Sequence, residues 1–192
     1  FLGNTLSKIL DDIEAGKTAV STDRQSIDLG VSHLPDILKD NTDRNRTSPF
    51  AFTGNKFEFR AVGSSANVAV PLTFLNTAVA DAFSQATEKL KKLLESKGRD
   101  EAVMELIRDY IKLSKNVRFE GNGYSQEWRD EAKKRGLPIM NSSVDALPVL
   151  ENEKATEFLI KQKVLSRDEI KSRHHIGIER YVKSLMIEFS TL

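Results

Sequence analysis

A chain of 192 residues with 39% hydrophobic and 30% charged side chains has the make-up of a globular domain or part of one, not of a disordered tract. A net charge of +1 gives no overall field for nucleic acid or an anionic membrane, and the longest apolar runs fall far short of the ~20 residues a membrane span needs. The absence of cysteine excludes disulfides, thiolate zinc sites and cysteine nucleophiles, and is compatible with a reducing, cytoplasmic location.

The first predicted element is a helix in "NTLSKILDDIEAGK". Leu6, Ile9, Leu10 and Ile13 fall at helical spacing, Asn4 or Thr5 can cap the start, and Gly16 stops it. Residues 17–49 carry Gly, Pro, Asp and Asn without sustained periodicity and read as loop. Residues 50–53 and 56–61 are two short alternating runs around "TGN", a hairpin signal. From Pro71 to Lys97 the pattern is helical, with a stripe of Leu72, Leu75, Val79, Phe83, Ala86, Leu90 and Leu93. Pro71 fits the first turn and Gly98 the end.

A second long helix is expected over about 100–115, with Val103, Met104, Ile107, Tyr110 and Ile111. Shorter ones are expected over about 126–135, closed by Gly136 and Pro138, and over about 151–162. The last opens on the Ser166/Glu169 capping box and runs through Ile170, Ile178, Tyr181, Val182, Leu185 and Phe189. The fold class is therefore α+β, mainly helical with a short β-hairpin. Two strands do not make an independently stable sheet, so these must add to a sheet supplied by other sequence. Phe1 opens the chain without Met or a leader pattern, and the final residues are still in helical register. Both ends read as interior to a fold, which predicts a piece of a longer polypeptide.

Four stretches raise questions of chemistry. "AGKT" at 15–18 lacks the earlier glycine of a phosphate loop, where Asp11 stands, and follows a helix instead of a strand, so it reads as a helix stop. His33, His174 and His175 have no partners at ligand spacing and read as surface or interface histidines. The cluster Lys133, Lys134 and Arg135 near Trp128 is interleaved with Glu127, Asp130 and Glu131, as expected of a solvated helix face.

The fourth stretch, "DRNRTSPFAFTGNKFEFR" from Asp43 to Arg60, holds four cationic side chains and four phenylalanines around the single interior acid Glu58. Strand alternation puts Phe57 and Phe59 on one side, toward a core, with Phe50 and Phe52 sharing that apolar face. Lys56, Glu58 and Arg60 then lie together on the other. Such a face is either an ordinary salt-bridged surface or a site for phosphate and metal. A carboxylate binds a hard divalent cation through oxygen, and arginines clamp phosphoryl oxygens.

The motif Asn45-Arg46-Thr47 followed by Lys56-Phe57-Glu58-Phe59-Arg60 resembles the corresponding segment of glutamine synthetases, and of the long type III family in particular. The resemblance continues through "LNTAVADAF", "GNGYSQEW", "KKRGLP" and "SSVDALPVL" to the final helix. It implies ATP-dependent ligation of ammonia to glutamate through γ-glutamyl phosphate, with two divalent cations, Mg or Mn, in the cleft. It also implies that the hairpin belongs to the catalytic β-sheet or barrel. By the same resemblance Glu58 ligates the cation nearer the nucleotide phosphates and Arg46 stabilises the transferred phosphoryl group. Arg60 contacts the substrate carboxylate or that phosphate, and Lys56 lies near the nucleotide. Such roles suit a reaction that depends on positioning and charge neutralisation.

The sequence departs from better-known glutamine synthetases in having Ala51 five residues after Arg46, where they carry a further arginine, and in a shorter link between the two motifs; type III chains share both features. The implied division is 1–98 as the carboxy-terminal part of the catalytic domain and 99–192 as a type III-specific helical region. The implied assembly is a homo-oligomeric ring, in type III a double ring, with glutamate, ammonia and ATP as partners and no nucleic acid or membrane. Most metal-binding acids of the family precede this segment, so the isolated chain is expected to be inactive. The alternative reading is a non-catalytic helical interaction or oligomerisation module that retains the motif.

Overall fold

In α1, Asn4–Glu14, the apolar residues Leu6, Ile9 and Ile13 turn to one side and are buried together with Ile111. The computed structural model from which this is read describes residues 2–17, 26–27, 37–38, 48–53, 56–60 and 67–191. The described elements continue with β1 (Ser26–Ile27), β2 (Ile37–Leu38), β3 (Phe50–Phe52), β4 (Phe57–Phe59), α2 (Ala69–Leu94), α3 (Arg99–Ser114) and a 3-10 turn at Lys115–Val117. They end with α4 (Gln126–Lys134), α5 (Ser143–Ala146), a 3-10 segment at Leu147–Glu151, α6 (Glu153–Lys161) and α7 (Arg167–Thr191). The result is the expected α+β make-up, mostly helical. No helix among the described residues is long and apolar enough to cross a membrane.

The chain divides into two compact units. One is Phe1–Ser64 with Glu88–Ile139, the other Ser65–Thr87 with Met140–Leu192, and α2 contributes to both.

In the first unit α1 packs on α3, with Leu2, Leu10, Phe52, Met104 and Ile107 around the buried cluster. The expected cap at Asn4 or Thr5 is replaced. Gly3 occupies the N-cap at φ 86°, and the Glu120 carboxylate accepts from Gly3 N at 2.9 Å, Leu2 N at 3.4 Å and Ser7 Oγ. At the other end Arg108 Nε donates to the Ile13 carbonyl at 3.1 Å, and Gly16 turns the chain at φ 71°. Both ends of α1 are thus held by residues about a hundred positions away, beyond reach of a local reading. The antiparallel pair Ser26↔Leu38 and Ile27↔Ile37 lies inside the stretch read as loop; two residues are too short to show alternation.

Gly98, expected to end α2, instead opens α3 as its N-cap, at ψ 157°, after α2 has ended at Leu94. Lys97 ties the junction to α3 through Glu101 and Glu105. Near α4, Phe119 lies 4.5 Å from Trp128, and the Arg135 guanidinium sits 5.9 Å from the Trp128 ring centroid. Arg135 also donates to the Arg118 carbonyl at 2.7 Å and to Glu131 at 2.6 Å. Of the three cations read as a solvated face, Lys133 and Lys134 are exposed, whereas Arg135 is a tie within the unit.

In the second unit Leu159, fully buried, packs with Leu165 and Ile170, and Phe74, Leu150, Phe158 and Ile160 surround them. The apolar stripe of α2 does not join this core. Leu72, Val79 and Phe83 are exposed, Phe83 at 70%. The buried residues of α2 are Thr77 and Asp81, on the opposite side of the helix at 100° per residue. Polar residues can occupy that face because each is satisfied. Thr77 donates to the Thr73 carbonyl, and Asp81 accepts from Gln85 at 2.6 Å, Gln162 at 2.9 Å and Lys161 at 3.1 Å. The Gln162 bond, followed by the Lys161 bond, holds the Asp81 carboxyl below its ordinary range. The Ser166/Glu169 capping box forms as read, with Ser166 N to Glu169 Oε2 at 2.7 Å and Glu169 N to Ser166 Oγ at 3.2 Å.

The buried residues of α7 are Ile170 and His174, and the partly buried Gly177 continues their line, against the 3-10 segment Leu147–Glu151. A Cβ at Gly177 would lie 2.6 Å from Leu147 Cδ2, so the Leu147 side chain would have to shift to admit one. Further along, Ile178, Val182 and Phe189 are exposed.

Candidate functional site

The hairpin pairs Phe50↔Phe59, Ala51↔Glu58 and Phe52↔Phe57 in antiparallel register. Arg60 N donates to the Pro49 carbonyl at 2.8 Å and Thr53 N to the Lys56 carbonyl at 2.8 Å, extending the ladder at both ends. Alternation in this register produces the two expected faces. On one, Phe50 stacks on Phe57 at 5.0 Å, meets Phe59 edge-on at 6.3 Å, and Phe52 lies 5.2 Å from Phe57. On the other are Ala51, Glu58 and Arg60.

Burial departs from expectation. Phe57 and Phe59 are 52% and 47% exposed and Phe50 is 38% exposed, so the aromatic face is not in a core; only Phe52 reaches the buried cluster of the first unit. Ala51, on the ionic face, is fully buried. The four rings shield one another, which is how so much apolar surface is carried on two three-residue strands.

Arg60 Nη2 donates to Glu58 Oε2 at 2.9 Å, with both side chains about three-quarters buried. Arg60 Nη1 donates to the Ser48 carbonyl at 3.2 Å. Ser48 is itself buried, its hydroxyl donating to the Phe50 carbonyl at 3.0 Å and accepting from Phe50 N at 3.2 Å. The guanidinium is thus held on one edge by backbone and on the other by carboxylate. Ser48 was not singled out in the sequence, although a serine bonding the backbone two residues on is a recognisable turn former. Of the candidate residues, Glu58 and Arg60 are brought together, Lys56 is exposed at the start of β4, and Arg46 lies outside the described residues.

Glu58 offers a hard divalent cation one oxygen-bearing side chain, whereas such ions take six or more ligands. Among the described residues no group of three His, Cys, Asp or Glu is gathered to hold a metal. The hairpin therefore fits the part of one ligand in a larger set.

Elsewhere, His33 lies outside the described residues. His174 is buried, with Nδ1 3.0 Å from Glu151 Oε1, while His175 beside it is exposed, so the surface reading fails for His174. An open cavity of about 240 Å³ in the second unit is bordered by Leu150, Glu151, Thr156, Arg167, Ile170 and Lys171. Its rim charges are already engaged in part, Arg167 pairing with Glu153.

Residues 102–192 match the family described as glutamine synthetase C-terminal domain. The whole chain aligns with a glutamine synthetase of Bacteroides fragilis (strain YCH46) at 39% identity, covering 27% of that protein. It aligns with the type-3 glutamine synthetase of Dictyostelium discoideum at 40% identity, covering 26% of it. A glutamine synthetase of Butyrivibrio fibrisolvens is 34% identical over the whole chain, which covers 27% of it. The chain thus spans about a quarter of the length of the curated relatives it matches. The hairpin precedes residue 102, so it falls within the relatives' alignment and not within the C-terminal domain match.

Proposed function

We propose that this chain, similar along its whole length to glutamine synthetases, a type-3 enzyme among them, is part of such an enzyme and supplies one wall of its catalytic cleft. The reaction is the ATP-dependent joining of ammonia to glutamate through γ-glutamyl phosphate. The observation that carries this reading is the paired ionic face of the hairpin, where Glu58 and Arg60 are held 2.9 Å apart on a strand whose register is fixed.

In this reading Glu58 is one ligand of a Mg or Mn ion, one of two in the cleft. A cation held there neutralises phosphoryl charge. Arg60 presents a planar pair of donors to a carboxylate or a phosphoryl group, which a lysine cannot match. The Nη1 bond to the Ser48 carbonyl and the backbone bond from Arg60 N to the Pro49 carbonyl keep the guanidinium beside Glu58. Arg46 stabilises the transferred group and Lys56 lies near the nucleotide. Residues 1–98 belong to the catalytic domain and 99–192 to a helical region particular to type III, in a cytoplasmic homo-oligomeric ring. The exposed aromatic face of the hairpin and the outward stripe of α2 are surfaces that a larger assembly can cover.

In the complete polypeptide, E58Q and R60Q are each expected to lower glutamine formation about 10²–10³-fold while subunit assembly, read by size-exclusion chromatography, is retained. Unchanged turnover in both would favour a non-catalytic module that keeps the motif. The isolated 192 residues are expected to form no glutamine; measurable synthesis by them would overturn the one-wall reading.

A further inference from the structure

The Glu58–Arg60 pair raises a question that the cation assignment leaves open. Arg60 Nη2 is engaged with Glu58 Oε2, the carboxylate that the cation also needs. We infer that Arg60 acts as an internal competitor for Glu58, so that Arg60 and a divalent cation each weaken the other's hold on that carboxylate. Cation binding thereby turns the Nη2 edge of Arg60 toward an anionic group. This rests on the assignment of Glu58 proposed above and adds a coupling to it.

Three features carry the inference. First, residues two apart on one strand face cannot separate far, so an incoming divalent cation meets the Arg60 charge at close range. Second, the attachment of Arg60 is divided. Nη1 is held by the Ser48 carbonyl, and that carbonyl belongs to a residue fixed by two bonds between its hydroxyl and Phe50. Loosening the Glu58 contact therefore leaves Arg60 anchored at the site. Third, Ala51, directly opposite Glu58, brings no polar group to this face. Coupling of this kind is reciprocal: whatever draws Arg60 away from Glu58, such as a substrate carboxylate or a phosphoryl oxygen, tightens the cation by the same factor.

The test is a double-mutant cycle on the complete polypeptide, read by calorimetric titration with Mn²⁺ alone, with circular dichroism and oligomer size as checks of folding. R60Q is expected to tighten Mn²⁺ about two- to fivefold, the range for removing one partly screened ion pair. E58Q is expected to weaken it by about tenfold or more. The R60Q gain is expected to vanish in the E58Q background, because Arg60 acts through Glu58. If R60Q misfolds, R60K is read instead: losing the fork and its Ser48 anchor while keeping charge, it is expected to tighten Mn²⁺ by less than R60Q.

The outcomes separate the two ideas. Unchanged Mn²⁺ binding in E58Q sinks the assignment of Glu58 to the cation. Weakened binding in E58Q with no gain in the arginine variants leaves that assignment standing and overturns the competition. A gain of equal size with and without Glu58 shows general charge repulsion and also overturns it.

Discussion

Single side chains acting across long sequence separations set the ends of α1. Glu120 places one carboxylate at the N-terminal amides of that helix, where unpaired N–H groups and the helix dipole both favour negative charge. Gly3 at φ 86° has no side chain with which to cap, so the cap is borrowed from elsewhere in the fold. Glu120→Ala is expected to cost about 1–2 kcal/mol, the range for losing a helix cap. Hydrogen exchange should rise first at the opening turn of α1, and an unchanged pattern there would contradict the assignment. The sequence displayed the helix through Leu6, Ile9, Leu10 and Ile13, but not its cap, because a partner 117 positions away leaves no local spacing to read. The same limit hid the role of Arg135, which reads as part of a basic cluster and in the structure lies over Trp128 and bonds the Arg118 carbonyl.

At the scale of elements, periodicity located most of the helices and the buried face of α1, but on α2 the stripe it picks out is not the buried face. On α2 the apolar stripe faces outward and the satisfied polar pair Thr77 and Asp81 faces inward, because hydrogen bonds made burial of that side tolerable. Alternation in the hairpin was legible to the residue, since the register follows directly from a period of two. The exposure of its aromatic side was not, since alternation says nothing about what covers a face. On α7 the contact with Leu147–Glu151 passes close to Gly177. Gly177→Ala is expected to destabilise the protein by about 1 kcal/mol, overpacking against Leu147 outweighing the better helix former. In a Leu147→Ala background the same change should instead stabilise by up to about 1 kcal/mol. Thermal unfolding of the four proteins in this cycle checks the reversal of sign, and two independent effects would argue against the close approach.

At the scale of the molecule, charge pairing in both units sets the response to pH. Asp81 is held below its ordinary value by Gln162 first and Lys161 next, Asp109 by Lys89, Glu131 by Arg135, and Glu169 by the Ser166 backbone N–H and hydroxyl. A carboxyl with a lowered value in the folded state adds stability that is present above its unfolded value and disappears as pH falls through the folded one. Lys89 and Lys97, raised by Asp109 and Glu105, add stability that is present below 10.5 and is lost as pH rises through their higher folded values. Stability is therefore expected to be flat across neutral pH, to fall below about pH 4.5 and to fall again in strong alkali. Urea midpoints across pH test this, and Asp81→Asn should flatten part of the acid limb with its effect centred on α6. The paired ionic face of the hairpin was readable because Glu58 and Arg60 stand two residues apart on one strand face. The division into two units was not, because it depends on contacts between distant segments, with α2 shared by both.

The alternation of the hairpin has a consequence for how this segment tolerates insertions and deletions. Aromatic anchors and ionic groups occupy alternate positions of β4, so one residue gained or lost within Phe57–Phe59 would exchange the two faces, turning rings to where Glu58 and Arg60 now meet. Length variation is thus excluded within the strand, whose paired positions must stay locked in phase.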